Sequence, residues 1–313
     1  MKKKQAAIIG AGIAGLASAI RLRAQGHEVS VFEANNYPGG KLTAFEKMGY
    51  RFDMGPSLFT MPHLVEDLFK VAKKPIHSYF KYKKKKNICT YFFEDGTYFE
   101  APADQKEFAK KAEQTFDVSE KELANYLDQS KKKYDLTAPL FLEKSLHKTS
   151  TYLSKKTLKA AINIGVLDLN KSLSALNEKT FRDPRLVQFF NRFATYNGSS
   201  PYKTPGIMSM IPHLEQHYGT YFPEGGMHQI TLSLFNLAKD IGVKFEFNSP
   251  VDEIITQDNR TTGLLVNQKR IQADLVISNA DIVPTYRRLL PKHKAPERTL
   301  SQPRSSSALI FYW

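Results

Sequence analysis

Among 313 residues the chain has one cysteine, Cys89, so no disulfide can form within it, as suits a reducing cytoplasm. No apolar run reaches the roughly 18 residues that a membrane-spanning helix needs, and the nearest candidate is stopped by Arg21. Histidine is scarce and scattered, and none sits in the context of a serine or cysteine triad. His213 and His217 are four apart and can share a helix face, but the run HLEQH lacks the glutamate placement of a zinc-protease motif, so no metal site is expected. Acidic residues are also short: 31 Asp plus Glu against 45 Lys plus Arg gives a net charge of +14. The lysines cluster at Lys2 to Lys4, Lys83 to Lys86, Lys131 to Lys133 and Lys155-Lys156. Such runs form solvated surface, or meet nucleic acid or anionic lipid headgroups. No recognised nucleic-acid motif accompanies the charge, so nucleic acid is not the expected partner.

What is present is concentrated near the start. Residues 6 to 41 read AAIIGAGIAGLASAIRLRAQGHEVSVFEANNYPGGK. A β-branched run enters a glycine turn at Gly10, Gly12 and Gly15, an amphipathic helix follows to about Gly26, and a second strand closes on Glu33. Each part serves a dinucleotide. Gly10 permits the sharp turn, Gly12 leaves room for pyrophosphate at the backbone, and Gly15 lets the helix pack close to the sheet. The helix N-terminus then offers the phosphates unpaired N–H groups and positive dipole, through the span Gly10, Ala11, Gly12, Ile13, Ala14 and Gly15. Glu33 stands where a carboxylate accepts both hydroxyls of an adenosine ribose, and it would repel a 2′-phosphate, disfavouring NADP. MKKK before the apolar stretch, with Ala17-Ser18-Ala19 beyond, imitates a signal peptide. Cleavage there would discard the glycine turn, so it is read as structure.

A second glycine-rich pair narrows the cofactor. Pro38-Gly39-Gly40-Lys41 follows the acid, and Gly49-Tyr50-Arg51-Phe52-Asp53-Met54-Gly55-Pro56-Ser57 is a short strand entering another turn. A nicotinamide enzyme has no need of these, whereas a flavin requires backbone close to a flat ring at several places. The order GxGxxG, Glu, PGGK, GYRFDMGPS resembles the flavin-containing amine oxidase superfamily, and within it the phytoene desaturase group of carotenoid desaturases and isomerases. Segments from Ala194 to Tyr202, Ile211 to Glu215, Tyr221 to Met227 and Val276 to Asp281 are similar in the same order. The run from Phe141 to Lys148 resembles the branch acting on hydroxylated carotenoids.

The resemblance implies FAD as cofactor. Besides the glycine turn and Glu33 with Ala34, it implies Gly40 and Lys41 near the phosphates or ribityl oxygens, Gly55, Pro56 and Ser57 at the ring, and the backbone of Val251 beside the adenine. Lys41 replaces the family's more frequent arginine, keeping the charge but losing the planar fork. It further implies a lipid-soluble polyene substrate that loses two hydrogens from adjacent carbons, with hydride passing to flavin N5. A redox-neutral carotenoid isomerase, an amine oxidase and an inactive FAD- or membrane-binding fragment are the alternatives. No catalytic side chain is named, because the cofactor takes the electrons and the protein supplies binding and orientation. A substrate dissolved in lipid makes an anionic membrane surface the expected partner of the lysine clusters, each lysine contributing on the order of 1 kcal/mol. The expected location is cytoplasmic, at the inner face of the cell membrane. The number of subunits is left open.

The expected fold class is α/β: a Rossmann-type FAD-binding domain interrupted by a mostly helical α+β substrate domain. Residues 1–60 form the first part of the FAD domain, 61–222 the substrate and membrane-associated domain, 223–290 the second part, and 291–313 the start of a further substrate segment. Within the insertion, Asp95-Gly96 marks a hairpin, Ser119 with Glu122 a capping box, and Asp183-Pro184 the start of a helix whose Leu186, Phe189, Phe190 and Phe193 form an apolar face. These faces serve as core or as ligand wall. After Gly226 a helix to Ile241, a strand from Val243, a meander around Asp258-Asn259 and Gly263, and a strand at Leu275 to Ile277 return to the first domain. The end, Leu309 to Trp313, reads as a buried strand and suggests a fragment of a longer polypeptide.

Overall fold

The structure is a computed structural model that describes residues 2–141, 144–145, 148–307 and 309–311. The chain divides into two compact units, one holding the residues up to Lys83 with Tyr221–Pro303, the other Lys84–Thr220 with Arg304–Phe311.

The first unit is built on four parallel strands. Gln5–Ile9 lies centrally, flanked by Leu275–Ser278 on one side and Glu28–Phe32 on the other, with Lys244–Glu246 outermost. The register pairs Ala6 with Leu275 and Ala6 with Val29. Side chains alternate across such a strand, and here both faces are covered. Ala6, Ile8, Val29 and Val31 pack on the helices Ile13–Ala24 and Gln229–Asp240 through Leu16, Ile20, Leu234 and Leu237. Ala7, Ile9 and Phe32 pack on Ile254, Leu264 and Val266 of an antiparallel meander, Val251–Gln257, Arg260–Val266 and Lys269–Gln272. Burial on both faces explains why the opening strand is continuously apolar. The fold is therefore α/β with a Rossmann-type sheet.

One helix falls elsewhere than the sequence reading put it. Pro62–Val71, read as the beginning of the insertion, contributes Val65, Leu68 and Phe69 to the core that holds Leu16 and Leu234. Periodicity announces a buried face without naming what covers it, and the change of unit comes at Lys84.

The second unit is helical with one hairpin. Asn87–Phe92 and Tyr98–Pro102 pair antiparallel around Asp95-Gly96. Gly96 takes φ +82°, and Asp95 accepts a bond from the Thr97 amide. Ser119 and Glu122 exchange bonds as a capping box at the head of Glu120–Phe141, a 22-residue helix. Asp183 caps Pro184–Asn191. Leu186, Phe189, Phe190 and Phe193 are wholly enclosed with Phe99, Phe108 and Leu123, so this face is core and not the wall of a ligand tunnel. The run Lys131 to Lys133 is not uniformly solvated either, since Lys133 is buried.

Ser306 donates its amide to Gly198 within this unit. Leu309, Ile310 and Phe311, expected as part of a buried strand, are exposed and belong to no strand among the described residues. Half of the Phe141 to Lys148 run, whose sequence resembles the hydroxycarotenoid branch, lies outside the described residues.

Candidate functional site

The glycine turn sits where Gln5–Ile9 ends, the end at which parallel α/β sheets bind nucleotides. Gly10 has φ +92°, a left-handed conformation open to glycine. A Cβ on Gly15 would run into the Gly10 carbonyl, so the third glycine is dictated by helix packing. Gly12 is the N-cap of Ile13–Ala24 and supplies no side-chain bond, and the first intrahelical bond runs from the Leu16 amide to its carbonyl at 2.9 Å. The amides of Ile13, Ala14 and Gly15 therefore head an uncapped helix, the arrangement that receives an anion.

Glu33 ends the adjacent strand and is 6% exposed, which for a carboxylate demands partners. It has them: Oε2 accepts the Ala11 amide at 2.7 Å, and Oε1 accepts the Asn35 amide at 3.0 Å and Nδ2 at 2.9 Å. The acid is thus locked against the turn, with capacity left on both oxygens, since a carboxylate offers about four acceptor sites. Ala34 beside it is exposed.

The other expected residues gather around the same turn. The Gly39 amide bonds the Ala11 carbonyl at 2.9 Å, and a Cβ on Gly40 would stand 3.5 Å from the Cα of Gly12. Gly55, at φ +95°, lies so close to the Lys41 carbonyl that no side chain fits between them. Pro56, Ser57 and the Lys41 side chain are exposed. Ser249 donates its amide to the Glu33 carbonyl, which draws Val251, two residues on, toward Glu33. The fourteen expected positions lie on segments tied to one another, and at Gly15 and Gly55 the backbone approach admits little more than a hydrogen atom.

Three residues matter here that motif reading did not single out. Asp53 accepts the amides of Met227 and His228 at 2.8 and 3.1 Å and the Arg51 guanidinium at 2.7 Å. Burial works to raise its pKa, but these donors prevail and hold it below the usual carboxylate range. It clamps the strand Tyr50–Met54, just before Gly55, to the head of the helix Gln229–Asp240. The ring of His228 is held neutral by burial and by Arg51, and its Nε2 is buried without a hydrogen-bond partner. Asn279 follows the strand Leu275–Ser278, and its Nδ2 stands 2.9 Å from where a Cβ on Gly12 would be. It overhangs the turn as a ready amide donor. Sequence offered GYRFDMG, EGGM and SNAD as segments, but nothing in it said that they meet.

His213 and His217 in the second unit stack face to face, centroids 4.4 Å apart and planes 12° apart, and do not converge on a common point. Burial and the neighbouring His217 push the His213 pKa down to about 4.

A cradle of this kind, with two glycine loops near the turn, a buried acid at the end of the adjacent strand and an unsatisfied imidazole nitrogen, fits a flavin dinucleotide. It defines the class, a flavoprotein oxidoreductase with a Rossmann-type domain. The family model of flavin containing amine oxidoreductases matches residues 13–305, and the chain belongs to that family, whose cofactor is FAD. It groups with the carotenoid-modifying members. It is 57% identical to a 1-hydroxycarotenoid 3,4-desaturase of a Flavobacterium species over 99% of its own length and 63% of the relative's. It is 33% identical to a 4,4′-diaponeurosporene oxygenase of Staphylococcus aureus, over 92% and 58%. The chain thus spans less than two thirds of these relatives. Among solved structures, an oxidoreductase from Methanosarcina mazei superposes with a TM-score of 0.63 at 20% identity, over 95% of this chain and 63% of the other. A putrescine oxidase superposes at 0.60 and 18%, over 92% and 60%. At that identity the likeness is one of fold. No helix among the described residues is long and apolar enough to cross a membrane.

Proposed function

We propose that this chain is the larger part of an FAD-dependent desaturase acting on a carotenoid, and that its substrate is a hydroxylated one, as the name of the Flavobacterium relative suggests. The observation that carries the reading is the convergence of Glu33, Gly40 and the Gly55 loop on one uncapped helix terminus. The amides of Ile13, Ala14 and Gly15 hold the pyrophosphate, and Lys41 adds charge at the phosphates or ribityl oxygens. Glu33 holds the ribose with its unused acceptor capacity, the backbone at Val251 lines the adenine, and Gly55, Pro56 and Ser57 line the ring. Asn279 and His228 complete the polar wall. FAD, when bound, takes up the hydride removed from the polyene. The protein's part is to orient the chain and exclude water, and no side chain is assigned as a base. The unit of Lys84–Thr220 is the substrate domain in this reading.

The protein works at the cytoplasmic face of an anionic membrane. Support comes from a stretch that carries Lys144, Lys148, Lys155, Lys156 and Lys159 and has no acidic residue from Lys144 to Leu167. Within it Leu153 is 87% exposed and Ile162 75%, with Leu158 and Ile164 also bare. Apolar residues beside unopposed lysines are what an interfacial helix presents.

Expression of the complete open reading frame in pigment-producing cells, with analysis of the carotenoids, tests the reaction. A product two hydrogens lighter with longer conjugation is expected. Altered geometry at constant mass would indicate an isomerase, a gain of oxygen an oxygenase, and either would overturn the desaturase assignment.

A further inference from the structure

Lys133 and Asp168 form a charged pair that the proposed chemistry leaves unused. Lys133 lies in the long helix Glu120–Phe141 with only 3% exposure. Its ammonium donates to Ser209 Oγ at 2.7 Å and pairs with Asp168 Oδ2 at 2.7 Å. Asp168 is in left-handed backbone at φ +48°, and its other oxygen takes Lys171 at 3.3 Å. A Cβ on Gly206 would stand 2.8 Å from the Asp168 carbonyl, so this corner of the unit is fitted closely around the acid. Removing such a pair from water costs more than packing the same volume with apolar groups. Burial for its own sake does not account for it.

The pair is not sealed in core. It borders a cavity of about 300 Å³ whose walls include Tyr126, Gln129, Leu176, Thr180 and Ser209. The Tyr126 hydroxyl is turned away to Asn177 at 2.8 Å, so its ring faces a neighbouring ligand with carbon. The exposed Glu122 and Asn125 mark the mouth, and Lys133 and Ser209 the enclosed end. At the small end of ligand-pocket sizes, this space takes an end group and not a whole carotenoid.

We propose that the cavity is the subsite for the hydroxyl-bearing end of the substrate, the hydroxyl accepting a bond from Lys133 and donating one to Asp168. A neutral hydroxyl both accepts and donates, which is what an ammonium beside a carboxylate requires of a third partner. An anion would be opposed by Asp168 and a cation by Lys133. An end group without oxygen would leave the pair desolvated and uncompensated, a penalty that makes hydroxyl-reading sites selective. This rests on the reading of the chain as a carotenoid-transforming enzyme.

The test uses the complete polypeptide loaded with FAD and two acyclic carotenoids that differ only in a terminal hydroxyl. Binding is read from the visible spectrum of the bound polyene, and turnover is read separately. Wild type is expected to bind the hydroxylated compound about tenfold or more tightly, the scale of one or two buried hydrogen bonds. The double variant Lys133→Met/Asp168→Leu, which removes both charges of the pair, is expected to lose that preference, with KM for the hydroxylated compound raised toward that for the unhydroxylated one. Leu176→Trp fills the cavity without touching the pair and is expected to give the same loss. Preference kept in both folded variants would overturn the subsite alone. Failure of wild type to bind either carotenoid would overturn the function proposed above, and the subsite with it.

Discussion

At the scale of single residues, the glycines of the turn separate two requirements that a motif merges. A Cβ on Gly12 meets the tip of the Asn279 side chain, which can swing aside, whereas one on Gly15 meets the backbone carbonyl of Gly10, which cannot. Gly12→Ala should therefore fold with near-normal stability and come off the column without yellow colour. Gly15→Ala should lose several kcal/mol of stability as the helix is forced off the sheet. Absorbance near the flavin bands and a denaturation curve distinguish the two, and a yellow, stable Gly15→Ala protein would contradict the packing argument. His213 gives a second residue-scale expectation. It faces His217, Asp135 and Lys131, with the Tyr134 and Tyr218 rings against it. Its folded pKa of about 4 lies below the unfolded value near 6.5. Between those limits the unfolded chain binds the extra proton, so stability is full above pH 6.5 and declines as pH falls toward 4. His213→Gln should flatten that part of the profile, by about 1–3 kcal/mol, in urea melts across the range. Glu33 and the glycines were legible because their partners lie within one strand–turn–helix unit. Asp53, His228 and Asn279 were not: the segment that each one joins lies more than 170 positions away, and no local pattern records such a meeting.

At the scale of elements, local chemistry was readable wherever it closed on itself. Asp95-Gly96, the Ser119–Glu122 box and Asp183-Pro184 each satisfy their own backbone within a few residues, and all three appear as read. Faces were legible as faces, but their partners were not. The helix Pro62–Val71 shows this, as does Lys133, a solvated lysine by its neighbours in sequence and a buried one by its place on the helix. The helix Lys155–Ile162 inverts the problem: it buries Ala160 and leaves Leu158 and Ile162 bare. If it rests on lipid, Leu158→Glu/Ile162→Glu should stay at the bottom of a flotation gradient with anionic vesicles while wild type rises. High salt should weaken wild-type flotation without abolishing it, since the apolar part is not screened. Equal flotation of the two proteins would place membrane contact elsewhere.

At the scale of the whole molecule, order in sequence and order in space diverge most. The α/β class and an interrupted nucleotide domain follow from the strand–helix alternation at the two ends. Where the insertion leaves and rejoins does not, because the chain crosses between units at short strands of no distinctive composition, Tyr82–Lys84 and Tyr221–Pro223.

The opening strand is hydrogen-bonded on one side to Glu28–Phe32 and on the other to Leu275–Ser278. A ribosome adding roughly 5–20 residues per second delivers the first neighbour almost at once and the second only after the whole insertion has emerged. For that interval the nascent chain carries an open apolar edge. An insertion that closes its aromatic core with its own residues, Phe99 and Phe108 against Phe189, spares the waiting edge an unwanted partner.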